Sequence, residues 1–199
     1  MYYYFLFFVI LYMFLHSFLA HDRVKAYFYK YLISERYYRF FFVSYAVLML
    51  VPIGYLYFAA QKTMFFKPGI IHYLSGGILI LVSLYVFYIS FKNYDFNEFL
   101  GLDRLKNKEK PRYPLKTGGI NRYVRHPLYS ASYLLMAGIF LIMPDDYVLT
   151  AIIIIAVYLP IGIIFEEQKL IKEYGQSYIE YTRNVPSLIP RIKPGKGKK

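Results

Sequence analysis

Arg125, His126 and Tyr129 stand in the run Arg125-His126-Pro127-Leu128-Tyr129, which opens one apolar stretch, and Glu166-Glu167 close the next. Two basic side chains facing two carboxylates could hold a zwitterion, because its ammonium and its carboxylate would each meet an opposite charge. Pro127 suits the first position of a helix, which puts His126 at or next to the cap, where unsatisfied amides and the helix dipole favour an anion. The competing interpretation is an interfacial salt bridge from Arg125 to one glutamate, with His126 and Tyr129 anchoring at the membrane surface. Neighbouring helical residues diverge by about 100°, so one arginine does not account for both glutamates.

For these groups to meet, the two stretches must form a hairpin about the turn Pro144-Asp145-Asp146. As helices, residues 127–143 rise roughly 25 Å and residues 147–165 return roughly 28 Å, against a hydrocarbon core of about 30 Å. The polar ends therefore come back level at one membrane face.

The rest of the chain supports that setting. Hydrophobic residues make up 58% of 199 and aromatics 22%, too much apolar surface for a water-soluble core of this size. The absence of cysteine excludes a disulfide frame, a thiolate metal site and a cysteine nucleophile. Apolar runs at about residues 2–20, 40–60, 70–91, 127–143 and 147–165 predict an all-α, polytopic membrane bundle of about five transmembrane helices, the fourth being the shortest. The first run lacks the basic start and small-residue cleavage pattern of a secretory signal, so it is expected to be a retained helix. Of the 24 Lys and Arg, 22 lie in residues 21–39, 92–126 and 166–199, on alternate connections. The positive-inside rule then predicts an N-terminus outside, a C-terminus in the cytoplasm and, for a bacterial protein, the inner membrane. The net charge of +12 reads as topology and attraction to anionic lipid; no nucleic-acid partner is expected. The expected organisation is one integral domain, with three transmembrane helices in residues 1–91 and the cytoplasmic connection, hairpin and cofactor-binding segment in residues 92–199. Oligomeric state is not legible.

Local features refine the picture. Pro52 reads as a tolerated membrane proline, whereas Pro160 lies less than two turns before Glu166, where a kink would splay the helix and open a cavity above the carboxylates. Gly76 and Gly77 are expected to allow close helix packing. Phe96, Phe99 and Leu100 predict a short interfacial helix over residues 95–102, followed by a charged link from Lys106 to Pro114 and a Gly118-Gly119 turn. Residues 166–174 are expected to continue the last helix to a cap at Gly175. On either side of it Tyr174, Tyr178 and Tyr181 share a face, for packing or as a cover over the cavity. Lys193 to Lys199 reads as a solvated tail.

The runs GGINRYVRHPLY, FEEQKL and EYGQSYIEYTRNVPSLIP resemble the isoprenylcysteine carboxyl methyltransferase superfamily of integral membrane enzymes. HSFLAHDRVK and FNEFLGLDRL extend the likeness to its NnrU-like and methanethiol S-methyltransferase branch. The resemblance implies S-adenosyl-L-methionine at the cytoplasmic end of the last two spans, held by Arg125, His126, Pro127, Leu128, Tyr129, Glu166, Glu167, Tyr178 and Tyr181. Arg125, His126 and Glu167 are the expected catalytic set. Glu167 would take the cofactor ammonium or ribose, Arg125 and the amides after Pro127 its carboxylate, and His126 and Tyr129 the adenine or the acceptor. His16 and Ser17 would line the acceptor entrance, with interfacial anchoring as the alternative. No metal is expected. The branch has a Tyr-Asn pair where this chain carries Phe42-Val43, shortly after Tyr38-Arg39, which leaves the acceptor open between a small or lipophilic thiol and a carboxylate. Two other functions remain: a reductase of the sterol-reductase type, although no glycine-rich dinucleotide fingerprint is present, and a non-catalytic NnrU-like membrane protein.

Overall fold

A computed structural model describes residues 1–92 and 114–190. The expected interfacial helix at 95–102, most of the link that begins at Lys106, and the tail from Lys193 lie outside the described residues. Apart from one two-residue bridge between Met64 and Asp145, the regular structure of the described residues is helical. The helices are α1 (Tyr2–Ala20), α2 (Asp22–Tyr31), α3 (Glu35–Leu48), α4 (Leu50–Ala59), α5 (Ile70–Lys92), α6 (Pro127–Ile142), α7 (Asp146–Tyr174) and α8 (Gln176–Asn184).

Among the described residues, four stretches are long and apolar enough to cross a membrane: α1, α3 with α4 as Glu35–Ala59, α5 and α7. With 16 residues, α6 rises only about 24 Å and falls short on its own. Large apolar residues on these helices point outward: on α5, Ile71, Leu74, Ile78, Leu81 and Tyr85 are all exposed at helical spacing. In water such a stripe would be costly, and in a bilayer it is the lipid-facing side. The protein is therefore a helical membrane bundle. Its second stretch breaks at Met49, between α3 and α4. Pro52 explains the break, since it has no N–H for the carbonyl of Leu48.

The chain divides into two compact units that interleave along the sequence. Among the described residues, the first takes residues 1–64 and 145–155. Phe5, Val9 and Tyr147 are its buried centre, packed by Tyr2, Ile53, Leu56 and Tyr57 among others. Asp145 is 2% exposed; one carboxylate oxygen accepts the Val148 amide at 2.9 Å and the other the Tyr57 hydroxyl at 2.8 Å. The first bond is an N-cap that satisfies an orphan donor of α7, so a residue expected only to turn the chain also starts the last span. Asp146 pairs with Thr63 through two more bonds, of 3.0 and 3.1 Å.

The second unit takes residues 65–92, 114–144 and 156–190 of the described chain. Its seam is the antiparallel pair α5 and α6. The buried residues of α5 are Gly76, Ser83 and Ser90, all small and each seven apart. A Cβ at Gly76 would lie 2.8 Å from the carbonyl oxygen of Gly138, and one at Gly138 equally close to that of Gly76. Ser83 Oγ donates to the Ala131 carbonyl at 2.8 Å in the same seam. Of the two glycines expected to allow close packing, Gly76 makes the contact, while the position of a Cβ on Gly77 meets nothing within 4 Å.

Candidate functional site

At the start of α6 the backbone does what the sequence predicts: His126 is the N-cap and Pro127 the first helical residue. A 3₁₀ turn over Gly119–Arg122 precedes it. The partners of its amides come from further along the chain. The Arg125 and His126 amides donate to the carbonyls of Pro186 and Ser187 at 2.8 and 3.0 Å. Ser130 Oγ donates to Leu188 at 2.6 Å. The segment after α8 is thus laid along the start of α6 as a strap.

Within this unit α6 and the C-terminal half of α7 run antiparallel, and their ends bring the two charged pairs together. Arg125 donates from Nε at 2.9 Å and from Nη2 at 2.7 Å to Oε1 of Glu167. Its Nη1 donates to the carbonyls of Thr182 and Val185. His126 Nε2 lies 2.9 Å from the same Glu167 oxygen, so the proton between them sits on the histidine if Glu167 is ionised. The other ring nitrogen, Nδ1, is 3.6 Å from Oε2 of Glu166. Burial opposes the charged form of His126, but hydrogen bonds and charge from Glu166 and Glu167 outweigh it and raise its pKa above the ordinary 6.5.

The two glutamates, adjacent in sequence, have different surroundings. Glu167 is 23% exposed at its side chain and takes three donors on one oxygen. Glu166 is 43% exposed, and Tyr129 lies close enough for its hydroxyl to feel that carboxylate's charge. Tyr129 lies edge-on to His126, with ring centroids 5.6 Å apart, and its hydroxyl is 3.5 Å from where a Cβ of Gly162 would be. A ligand arriving from solvent therefore meets Glu166 first. Leu128 and Tyr129, in the first turn of α6, have amides with no intrahelical acceptor.

The tyrosine stripe is inside. Tyr178 and Tyr181 are buried at 1% and 9% exposure, packed with Val185, Leu115, Leu170 and Tyr174. Tyr181 donates to the Asn121 carbonyl at 2.6 Å, and the buried Tyr178 hydroxyl has no hydrogen-bond partner among the described residues. Gly175 joins α7 to α8 at φ +59°, a conformation side chains resist. His16 and Ser17 belong to the other unit, where the His16 ring lies 5.0 Å from that of Phe42.

Sequence reasoning missed Tyr133. α7 is continuous through Pro160, whose missing N–H orphans the carbonyl of Ala156. Tyr133 donates to that carbonyl at 3.1 Å. In a bilayer such an interhelical bond is worth about 0.6 to 1.7 kcal/mol. Tyr133→Phe should cost about that much in the parent and almost nothing beside Pro160→Ala, which restores the internal bond. Melts of the two single variants and the double variant test this, and additive losses would contradict the clasp.

Comparison with known proteins adds three findings. The phospholipid methyltransferase family matches the chain over residues 71–177, which include every ionic contact of this site. A methanethiol S-methyltransferase of Crocosphaera subtropica is 33% identical over 121 residues, covering 59% of this chain and 44% of that protein. The alignment thus spans less than half of that relative. No solved structure matches the chain.

Proposed function

The chain belongs to the phospholipid methyltransferase family, and from that premise we propose that it is a membrane methyltransferase using S-adenosylmethionine, bound at the meeting ends of α6 and α7, to methylate a small or lipophilic thiol or carboxylate. The observation that carries this reading is the division of labour between the glutamates. Arg125 and His126 converge on Glu167, which leaves the more exposed Glu166 carboxylate at the surface beside Tyr129. The methanethiol S-methyltransferase relative supports the thiol class of acceptor.

The residues fit the cofactor's polar groups. Glu166 offers a carboxylate to an ammonium, and the Leu128 and Tyr129 amides offer donors to a carboxylate at a helix start. Arg125 acts here as the support that fixes Glu167, since its guanidinium is already engaged with Glu167, Thr182 and Val185. Tyr178 and Tyr181 support α8 from within. When bound, the cofactor supplies an electrophilic methyl on a sulfonium. The chain's contribution is to hold donor and acceptor at near-attack distance, worth roughly 7 kcal/mol or more of the barrier, and to keep water from the reacting atoms. No side-chain nucleophile is needed.

The charges give a pH signature. With His126 protonated, two cations balance two carboxylates; with His126 neutral, one carboxylate lacks a partner, which the cofactor ammonium supplies. Because the pKa of His126 is raised, its contribution to stability is full below pH 6.5 and is lost as pH rises through the raised value. Cofactor affinity runs the other way and increases over that window. Calorimetric titrations from about pH 6 to about pH 7.5, below the range in which an α-ammonium loses its proton, measure it, and affinity falling with pH there would contradict this arrangement.

The function itself is tested by titrating the purified protein with S-adenosylmethionine and with NADPH. Binding of the first alone supports the methyltransferase, binding of the second alone a reductase, and binding of neither a non-catalytic role. The topology is tested separately. The chain has no cysteine, so Lys67→Cys should react with an impermeant thiol reagent in intact cells, and Lys30→Cys and Lys116→Cys only after permeabilisation. The reverse pattern would invert the orientation.

A further inference from the structure

Tyr38, Tyr57, Tyr133 and Tyr181 each donate their hydroxyl proton to a named oxygen, at 2.6 to 3.1 Å. Tyr178 does not. Its side chain is 1% exposed, and its hydroxyl has no hydrogen-bond partner among the described residues. A buried donor without an acceptor destabilises the state that buries it, and phenylalanine would fill the same space without that penalty. The hydroxyl is therefore a weak point in the seat of α8, which is otherwise packed by Tyr181, Val185, Leu115, Leu170 and Tyr174.

The piece on that seat is joined to the rest at few places. With 9 residues, α8 is of a length at which an isolated helix is marginal in water, so it keeps its shape by docking. A single residue, Gly175, separates it from α7, at φ +59° and ψ −131°. Side chains resist that combination, and a one-residue joint can take up the change of direction when a neighbouring element swings. Beyond α8, the strap is held by the Arg125 and His126 amides and by Ser130 Oγ. Arg125 Nη1 donates to the carbonyls of Thr182 and Val185 at the end of α8, and Tyr181 to that of Asn121.

We propose that α8 and the strap form a lid, hinged at Gly175 and latched through Arg125, and that the unpaired Tyr178 hydroxyl sets how readily this lid lifts. Lifting brings water to the hydroxyl, which offsets part of the loss when the latch breaks. It also frees the Arg125 and His126 amides together with Nη1 of the guanidinium, so the donors at the start of α6 change partners in one step. Ligand exchange is the use of such a motion, because Arg125 and His126 also hold Glu167 beside the proposed cofactor position. That use rests on the methyltransferase reading; the motion does not.

Hydrogen exchange of the full chain, purified in detergent without ligand and resolved to single amides, tests the lid. Corrected for intrinsic rates, the Arg125 and His126 amides should be protected equally with that of Val185 in the lid, and less than those of Met136 and Gly138 within α6, because they open with the lid. Tyr178→Phe should slow this shared exchange about tenfold, the scale of one buried unsatisfied hydroxyl, and leave Met136 and Gly138 as in the parent. Val185→Ala, which removes apolar contact beneath the lid, should speed it about tenfold. Arg125 and His126 amides that follow Met136 and Gly138 in the parent would overturn the proposal. So would unchanged or faster exchange in Tyr178→Phe, or equal slowing at every amide, which would mark general stabilisation. Dissociation of bound S-adenosylmethionine should slow by the same factor in Tyr178→Phe, and an unchanged rate would remove ligand exchange from the role of the lid. A parent that binds no S-adenosylmethionine would count against the methyltransferase reading and leave the exchange result standing.

Discussion

Glu167→Gln is expected to cost the protein about 1.5 to 3 kcal/mol, the scale of a hydrogen bond to a charged group, while Glu166→Gln stays folded and binds S-adenosylmethionine about tenfold to a hundredfold more weakly. The asymmetry follows from where the donors go. Oε1 of Glu167 receives Arg125 Nε, Arg125 Nη2 and His126 Nε2, all within 2.9 Å, while the Arg125 side chain is only 12% exposed. With a neutral amide there, a desolvated guanidinium keeps its carbonyl acceptors and loses its counter-charge. Glu166 holds up nothing comparable, and its loss is felt by whatever cation approaches it. Thermal melts separate the first effect from the second, which calorimetry reads. Equal melting losses in the two variants would remove the division of labour, and parent-like cofactor affinity in both would return the pair to the role of interfacial salt bridge.

Gly138→Ala is the second large effect, at about 1 to 3 kcal/mol of destabilisation for overpacking. Its new methyl would stand 2.8 Å from the Gly76 carbonyl oxygen and 3.2 Å from the Ile80 amide nitrogen. Both are backbone atoms, so relief requires α5 and α6 to separate. Gly76→Ala meets the reciprocal obstacle, the Gly138 oxygen at 2.8 Å. Gly77→Ala is the internal control, since that position is open and alanine is the better helix former by about 0.5 to 1 kcal/mol. Melts of the three variants in one detergent should order them with Gly77→Ala at or above the parent. A Gly138→Ala variant as stable as Gly77→Ala would show that the seam yields without cost.

Much of this arrangement was legible because it depends on lengths and endpoints. Counting residues at a fixed rise brings Arg125 and His126 level with Glu166 and Glu167, and Pro127 marks where α6 begins. What the count could not give is rotation about the helix axes. That rotation decides that Glu167, not Glu166, meets Arg125, that Gly76 and not Gly77 faces α6, and that Tyr178 and Tyr181 turn into a packed cluster. Tyr133 was nearly within reach of the same arithmetic: eight residues forward from 125 and eight back from 167 pair 133 with 159, about one turn from the Ala156 carbonyl that Pro160 orphans. The strap was not, because Pro186, Ser187 and Leu188 contribute only backbone carbonyls, and a carbonyl leaves no mark on a sequence. The break at Met49 shows the converse, a proline whose local effect on the helix is plain from its chemistry.

The strap also imposes an order in time. Arg125 emerges from the ribosome 60 residues before Val185, whose carbonyl it needs. At about 5 to 20 residues per second this interval lasts roughly 3 to 12 s. Throughout it, the Arg125 and His126 amides have only water for a partner and the guanidinium must remain hydrated. The start of α6 keeps unmet hydrogen bonds until the chain beyond α8 arrives, so the proposed methyl-transfer site stays incomplete until at least Leu188 has been made.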